Sequence, residues 1–122
     1  MGWNKSAAVD YLVKHIEPHS KGHCAKYTRL AIAAGGIQLI QTMSAKDYGS
    51  SLLKAGFTAL PPSAKPEKGD VVVIQPYPGG LQYGHMAMYD GKTWYSDFKQ
   101  RDMYPGPGYR RTHPPYVIYR KN

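Results

Sequence analysis

The sequence has only one cysteine, Cys24, in 122 residues. A lone thiol cannot form an internal disulfide, so Cys24 must serve packing, oxidation, metal ligation or nucleophilic attack. Long apolar runs are also absent, because no stretch approaches the roughly 20 residues that a membrane-spanning helix requires. Internal repeats are lacking as well. The length and these absences predict one domain, residues 1–122, with its own hydrophobic core and no membrane span.

Acidic residues are scarce. Eight Asp and Glu stand against sixteen Lys and Arg, which leaves a net charge of +8. An excess of this size predicts an anionic partner such as a nucleic acid, a membrane surface or a cell wall. Part of the excess lies between residues 99 and 122, where the only acid is Asp102. The alternative is that the surface is simply basic and that the charge serves solubility.

The N-terminal half has the pattern of helices. Apolar residues recur at three- and four-residue steps after Asn4 and Ser6, either of which can cap a helix that runs to about residue 17. The same spacing predicts a second helix over residues 24–34. A capping-box pattern opens a third helix over residues 44–56.

The C-terminal half has the pattern of strands. Residues 71–74 form a continuous β-branched run, which is typical of a central buried strand. Residues 85–89 and 93–98 predict a hairpin, and residues 116–120 predict a last strand. Residues 104–109 are too rich in proline and glycine for regular structure. Helices followed by antiparallel strands predict an α+β fold, with the N-terminal helices packed on a small antiparallel sheet.

The setting of Cys24 favours nucleophilic chemistry. Gly22 and polar residues precede it, and a helical pattern begins at the cysteine itself. The positive end of a helix and its unpaired N–H groups stabilise a thiolate, so this position predicts a lowered thiol pKa. The alternative is that Cys24 is a small, buried packing residue. The segment alone does not decide between the two.

The predicted hairpin supplies a base and a third polar group. His85 opens its first strand, and an imidazole in this role accepts the thiol proton while a polar neighbour fixes its tautomer. A three-residue loop after Tyr89 would place Asp97 opposite His85, whereas a two-residue turn would place Ser96 there. Asp97 is the stronger candidate, because its charge would stabilise an imidazolium.

Four segments together resemble a known family. They are Gly22–Tyr27, Gly69–Val73, Gly84–Gly91 and Trp94–Phe98. A helix with an N-terminal cysteine, a Gly-Asp before a β-branched strand and a Gly-His hairpin resemble the papain-like cell-wall peptidases of the NlpC and CHAP groups. More narrowly, the segments resemble small amidase effectors delivered by type VI secretion.

This resemblance implies a fold and a chemistry. The fold would be papain-like, with Cys24 as the nucleophile, His85 as the base and Asp97 as the third member. The third position in the family is often His, Asn or Gln, so Asp97 departs from the pattern. The implied reaction is hydrolysis of an amide bond in peptidoglycan stem peptides through an acyl-enzyme, without a cofactor or metal.

The resemblance also implies a place of action and partners. The chain would be made in the cytoplasm without a signal peptide, secreted, and active in the periplasm of a target bacterium as an antibacterial toxin. A cognate immunity protein is a candidate partner, and a monomer is expected. We predict that Tyr77, Tyr83 and Ser96 contact the substrate. Tyr104 and Tyr109 also lie in proline- and glycine-rich loops and could line the same groove, although ordinary loop packing would explain each tyrosine alone.

Two other functions compete with this one. A basic nucleic-acid-binding module would use the charge and the eleven tyrosines, but it would leave Cys24 and His85 without a role. A metal-dependent hydrolase is the other alternative, although its candidate ligands lack a recognised zinc spacing. Those ligands are His19, His23, Cys24, His85 and His113.

Overall fold

The computed structural model describes residues 2–122 and contains four α-helices in that range. In chain order they are α1 (Lys5–His15), α2 (Cys24–Ala34), α3 (Tyr48–Lys54) and α4 (Pro107–Thr112), with a short 3-10 turn at Ala45–Asp47 before α3. None of the helices in residues 2–122 is long and apolar enough to cross a membrane.

Five strands form one antiparallel sheet. They are β1 (Thr58–Ala59), β2 (Val71–Ile74), β3 (His85–Tyr89), β4 (Trp94–Tyr95) and β5 (Tyr116–Arg120). Their order across the sheet is β1-β5-β2-β3-β4, so β2 lies in the middle between β5 and β3. Helices followed by an antiparallel sheet confirm the predicted α+β class.

The sheet is covered on both faces, which explains the uninterrupted apolar run of β2. Side chains alternate along a strand. Val71 and Val73 belong to the cluster formed with the helices, whereas Val72 and Ile74 pack on the opposite face. The second face is covered by aromatic residues from the segment between β4 and β5, including Tyr104 and Tyr109. All four β2 residues are buried.

The helix predictions hold with local corrections. Asn4 caps α1 by accepting a hydrogen bond from the Ala7 N–H at 2.9 Å, and α2 has the predicted bounds. The predicted capping box at Ser44 is wrong, because its side chain makes no capping hydrogen bond. Helix α4 was not predicted, since proline and glycine dominate its start. Pro107 is nonetheless compatible with a first helical turn, where no intrahelical N–H bond is needed.

Both predicted hairpin registers are wrong. Tyr89 pairs with Trp94, so four residues separate β3 from β4. The cause is Asp90, whose Oδ1 accepts hydrogen bonds from the N–H groups of Lys92 at 2.7 Å and Thr93 at 2.6 Å. This side-chain turn keeps Thr93 in the loop. Strand β4 then ends at Tyr95, well before the chain could reach the level of His85.

After β4 the chain turns back on itself. The Ser96 N–H donates to the Phe98 carbonyl at 3.0 Å, and the Gln100 N–H donates to the Trp94 carbonyl at 2.9 Å. We call residues 96–100 the clamp turn. Ser96, Asp97 and Gln100 are all buried in it, which brings three polar side chains beneath the surface next to β3.

Candidate active site

Cys24 lies where helix α2 meets the central sheet. It is the first residue of α2, and α2 packs against β3. The backbone N–H of Met86, the residue after His85, lowers the pKa of the thiol. Cys24 as a whole residue is half-buried and lines an open cleft of about 640 Å³. Cys24 therefore lies beside the start of β3, with access to solvent.

His85 enters the same cleft as the first residue of β3. The preceding Gly84 has a φ of +72°, which favours glycine. A Cβ at this position would lie 2.5 Å from the Ile74 carbonyl oxygen, so a larger residue would push the strand start away from β2. The Gly-His pair thus sets the position of the imidazole, whose residue is 7% exposed.

Gln100 holds the His85 ring. His85 Nε2 lies 2.7 Å from Gln100 Oε1. The Gln100 amide nitrogen donates to the carbonyl oxygens of Asp102 at 2.9 Å and Met103 at 3.1 Å. Because carbonyl oxygens can only accept, these two bonds fix which end of the amide faces His85. Nε2 must therefore carry the ring proton, which leaves Nδ1 as the free base.

The prediction that Asp97 faces His85 and accepts its ring N–H is wrong. Asp97 Oδ2 instead accepts hydrogen bonds from the N–H groups of Lys21 at 2.6 Å and His23 at 3.0 Å. Its own backbone carbonyl accepts from the Glu17 N–H at 2.7 Å. The longer hairpin loop carries Asp97 past His85 to the other side of the site. There it holds the loop that leads into Cys24.

The predicted substrate contacts divide into two groups. Tyr77 and Tyr83 line the cleft, and Tyr83 is 53% exposed. Ser96 is fully buried and donates to Asp97 Oδ1 at 3.3 Å. A contact between Ser96 and substrate is therefore a wrong prediction, because the side chain supports Asp97 beneath the surface.

Burial dominates the electrostatics of the pair. It raises the pKa of the Cys24 thiol to about 11, although the N–H of Met86 lowers this pKa. Burial likewise lowers the pKa of His85, while the Gln100 hydrogen bond and the charge of Asp97 raise it. The predicted lowering of the thiol pKa is wrong, because the cost of burying the charge exceeds the helix-end contribution. The thiol of Cys24 and the imidazole of His85 are thus both neutral at neutral pH.

Sequence reasoning missed Gln100, whereas Tyr109 was a candidate to line the groove and does line the cleft. Tyr109, on α4, forms an edge contact with Tyr77 at 4.8 Å between ring centroids and lies 6.0 Å from the His85 ring. Burial raises the pKa of Tyr109 to about 12, so its hydroxyl stays protonated. The signal for Gln100 was available, since glutamine is a known third residue in the family that the sequence resembles.

The competing functions find little support in the site. Within residues 2–122, no group of three or more His, Cys, Asp or Glu side chains is placed to hold a metal ion. Two cations of the basic C-terminal region have internal partners. Arg120 donates to both carboxylate oxygens of the buried Asp70, at 2.9 and 2.8 Å, and Arg110 lies 3.6 Å from Asp102.

Comparisons with known proteins show which structures the chain is similar to. No protein-family model matches it, and a search of curated proteins gave no match. It is similar to two crystal structures of the type VI effector–immunity complex Tae3–Tai3 from Ralstonia pickettii. One has 53% identity and a TM-score of 0.93, covering 98% of this chain and 100% of the other. The second has 55% identity and a TM-score of 0.88, with coverage of 93% and 99%.

A more distant match shows the fold alone. The crystal structure of Ly7917 has 18% identity and a TM-score of 0.57, covering 93% of this chain and 61% of the other. The Tae3 matches have higher identity and extend over nearly the whole chain. The chain belongs to the Tae3 family of type VI effectors.

Proposed function

We propose that this chain is a cysteine amidase that hydrolyses an amide bond in peptidoglycan stem peptides. The observation that carries the proposal is the fixed tautomer of His85. Gln100 accepts from Nε2, so Nδ1 is free to take a proton in a cleft that Cys24 also lines. A thiol, a base and an orienting group in an open cleft are the components of acyl transfer.

Acylation follows from a neutral starting pair. As the Cys24 sulfur attacks the amide carbonyl, His85 Nδ1 takes the thiol proton, and the carbonyl oxygen becomes an oxyanion. The Cys24 backbone N–H, at the start of α2, is our candidate donor to that oxyanion. The C–N bond then breaks, and the imidazolium returns its proton to the departing amine.

Deacylation restores the enzyme. Neutral His85 removes a proton from a water molecule, which attacks the thioester that joins Cys24 to the substrate. The C–S bond breaks, a carboxylic acid leaves, and the thiol regains its proton from His85. The charge of Asp97, which raises the pKa of His85, would favour the imidazolium in both steps.

The family gives the biological setting. We infer that the chain is an antibacterial toxin that type VI secretion delivers, that it acts in the periplasm of a target cell, and that a cognate immunity protein blocks it in the producer. The matched complexes each pair an effector with an immunity protein, which supports such a partner. The net charge of +8 agrees with a substrate that carries carboxylates.

Digestion of purified peptidoglycan, with mass analysis of the fragments, tests the proposal. The wild type should release fragments with one new amine and one new carboxylate, whereas Cys24→Ala and His85→Ala should be inactive while folding normally. His19→Ala, at an exposed histidine outside the cleft lining, is the control and should keep full activity. Wall digestion by a well-folded Cys24→Ala protein would refute the cysteine mechanism.

A further inference from the structure

The charge of the cleft has one sign. Among residues 2–122, no Asp or Glu lines the cleft, whereas Lys26 and Arg29 both do. Both cations lie on α2, which begins at Cys24. A cleft with fixed cations and no acid favours a substrate with negative charge near the reacting bond.

Arg29 differs from the other arginines in residues 2–122 because its Nε is buried without a partner. Its Nε is buried and has no hydrogen-bond partner in residues 2–122, and no ion pair there joins Arg29 to an acid. Arg110 and Arg120 both have carboxylate partners. The buried Nε fixes the guanidinium in place, and no acid in residues 2–122 neutralises its charge. Because Arg29 lines the cleft, its unpaired charge is available to an anion that enters the cleft.

The position of Arg29 sets where that anion would lie. Arg29 follows Cys24 by five residues on the same helix, which is a rise of about 7.5 Å. Five residues also turn the helix by about 140°, so Arg29 leaves α2 from a different side than Cys24, although both residues line the same cleft. A carboxylate bound to Arg29 would therefore lie in the cleft that Cys24 lines, away from the sulfur.

We propose that Arg29 determines specificity by binding a substrate carboxylate in the cleft that holds the scissile amide, and that Lys26 adds to the local positive charge. The inference rests on the proposed amidase function and narrows its substrate class to stem peptides with a free carboxylate at this point. Amidated stem peptides, in which that carboxylate is a neutral carboxamide, would be poor substrates. Arg29 would recognise the substrate without taking part in proton transfer.

Matched substrates test the proposal. Soluble peptidoglycan fragments are prepared with their free carboxylates and, in parallel, with those carboxylates converted to carboxamides. For the wild type, kcat/KM should be at least tenfold higher on the carboxylate form. Arg29→Gln should raise KM on that form about tenfold with little change in kcat, and should remove the preference. Arg29→Lys should retain part of the preference, because it keeps the charge but loses the planar pair of donors.

Two controls separate charge from folding. Lys54→Gln removes one positive charge at an exposed position on α3 and should leave the preference intact. Thermal unfolding of each variant identifies any loss of fold, and Arg29→Lys still tests the proposal if Arg29→Gln does not fold. Equal cleavage of both forms by the wild type, or an Arg29→Gln enzyme that keeps the preference, would overturn the proposal and leave the amidase function standing.

Binding measured without turnover separates the two proposals. Calorimetry with Cys24→Ala gives the affinity of the uncleaved fragments. Tighter binding of the carboxylate form, lost when Arg29→Gln is added, would support the carboxylate site even if the wild type proved inactive on peptidoglycan. Equal affinity for both forms would overturn the site whatever the outcome of the digestion.

Discussion

Asp97 and Gln100 lie three residues apart in the clamp turn and are both buried, yet they hold opposite sides of the active site. Asp97 accepts two backbone N–H groups from the loop before Cys24. Gln100 accepts from the His85 ring and donates to two backbone carbonyls. The turn at residues 96–100 thus holds both the loop before Cys24 and the ring of His85, which are the nucleophile and the base of the proposed mechanism.

The chemistry of each side chain fits its place. A carboxylate has only acceptors, which suits a position surrounded by N–H groups. An amide has both acceptors and donors, so the two carbonyls that bind its nitrogen also aim its oxygen at His85. The difference shows that the charged residue holds a backbone loop, whereas the neutral residue orients the His85 ring.

The largest expected effect is the loss of stability when Asp97 is replaced. Asp97→Ala should lower the free energy of unfolding by about 3 kcal/mol, because two N–H groups lose a buried, charged acceptor. Asp97→Asn should cost less, since one acceptor oxygen remains. Chemical denaturation measures both, and Asp10→Ala, at an exposed position on α1, is the matched control. An Asp97→Ala protein as stable as the wild type would show that the loop needs no such support.

Replacing Gln100 should affect kcat more than the stability of the fold. Gln100→Ala should lower kcat about 10- to 100-fold, which corresponds to roughly 1.4–2.8 kcal/mol of transition-state stabilisation. The reason is that the imidazole loses the contact that fixes its tautomer. Gln38→Ala, at an exposed glutamine, should leave kcat unchanged. Full activity in Gln100→Ala would show that Gln100 has no role in the reaction.

The pH dependence distinguishes the two sides further. Because burial lowers the pKa of His85, kcat/KM should hold down to pH about 6.5, the ordinary histidine value, and fall only below it. The Gln100 hydrogen bond raises this pKa, so Gln100→Ala should move the acid limb to lower pH even as the rate drops. An acid limb that shifts upward in this variant would contradict the assignment.

The same shift links pH to stability. Histidine in the unfolded chain takes up its proton near pH 6.5, whereas folded His85 resists protonation. The contribution of neutral His85 to stability is therefore complete above about pH 6.5 and is lost as the pH falls through the lowered folded value.

The smallest effect should come from Ser96. Ser96→Ala removes one hydrogen bond to Asp97 Oδ1 and should cost about 1 kcal/mol of stability or less, with kcat unchanged. Denaturation and steady-state kinetics on this single variant are sufficient. A large loss of kcat would mean that Ser96 reaches the chemistry, contrary to its complete burial.

Sequence patterns captured the parts of the fold that depend on local spacing. The bounds of α2 and β2 follow from apolar periodicity and a β-branched run, and these two elements place Cys24 and the centre of the sheet. His85 could be identified because Gly84 and the turn signal at Asp90 mark the hairpin. Helix α4 was not predicted because its composition is that of a loop, although Pro107 is compatible with the first turn of a helix.

The polar residue that holds the His85 ring, Gln100, could not be derived in the same way. Its identity depends on the length of the hairpin loop, and that length was set by two side-chain hydrogen bonds of Asp90. One or two residues of register decide which polar group lies beside His85. The thiol pKa was likewise beyond the sequence, because a helix position indicates the local field but does not reveal how much water reaches the sulfur.

The most direct test of the central claim is the tautomer of His85. Long-range ¹H–¹⁵N correlation spectra at pH 7.5 report which ring nitrogen carries the proton, and His85→Gln identifies the signals among the five histidines. The wild type should show a neutral ring protonated on Nε2, and Gln100→Ala should show a mixture of tautomers. A wild-type ring protonated on Nδ1, or charged at this pH, would contradict the account.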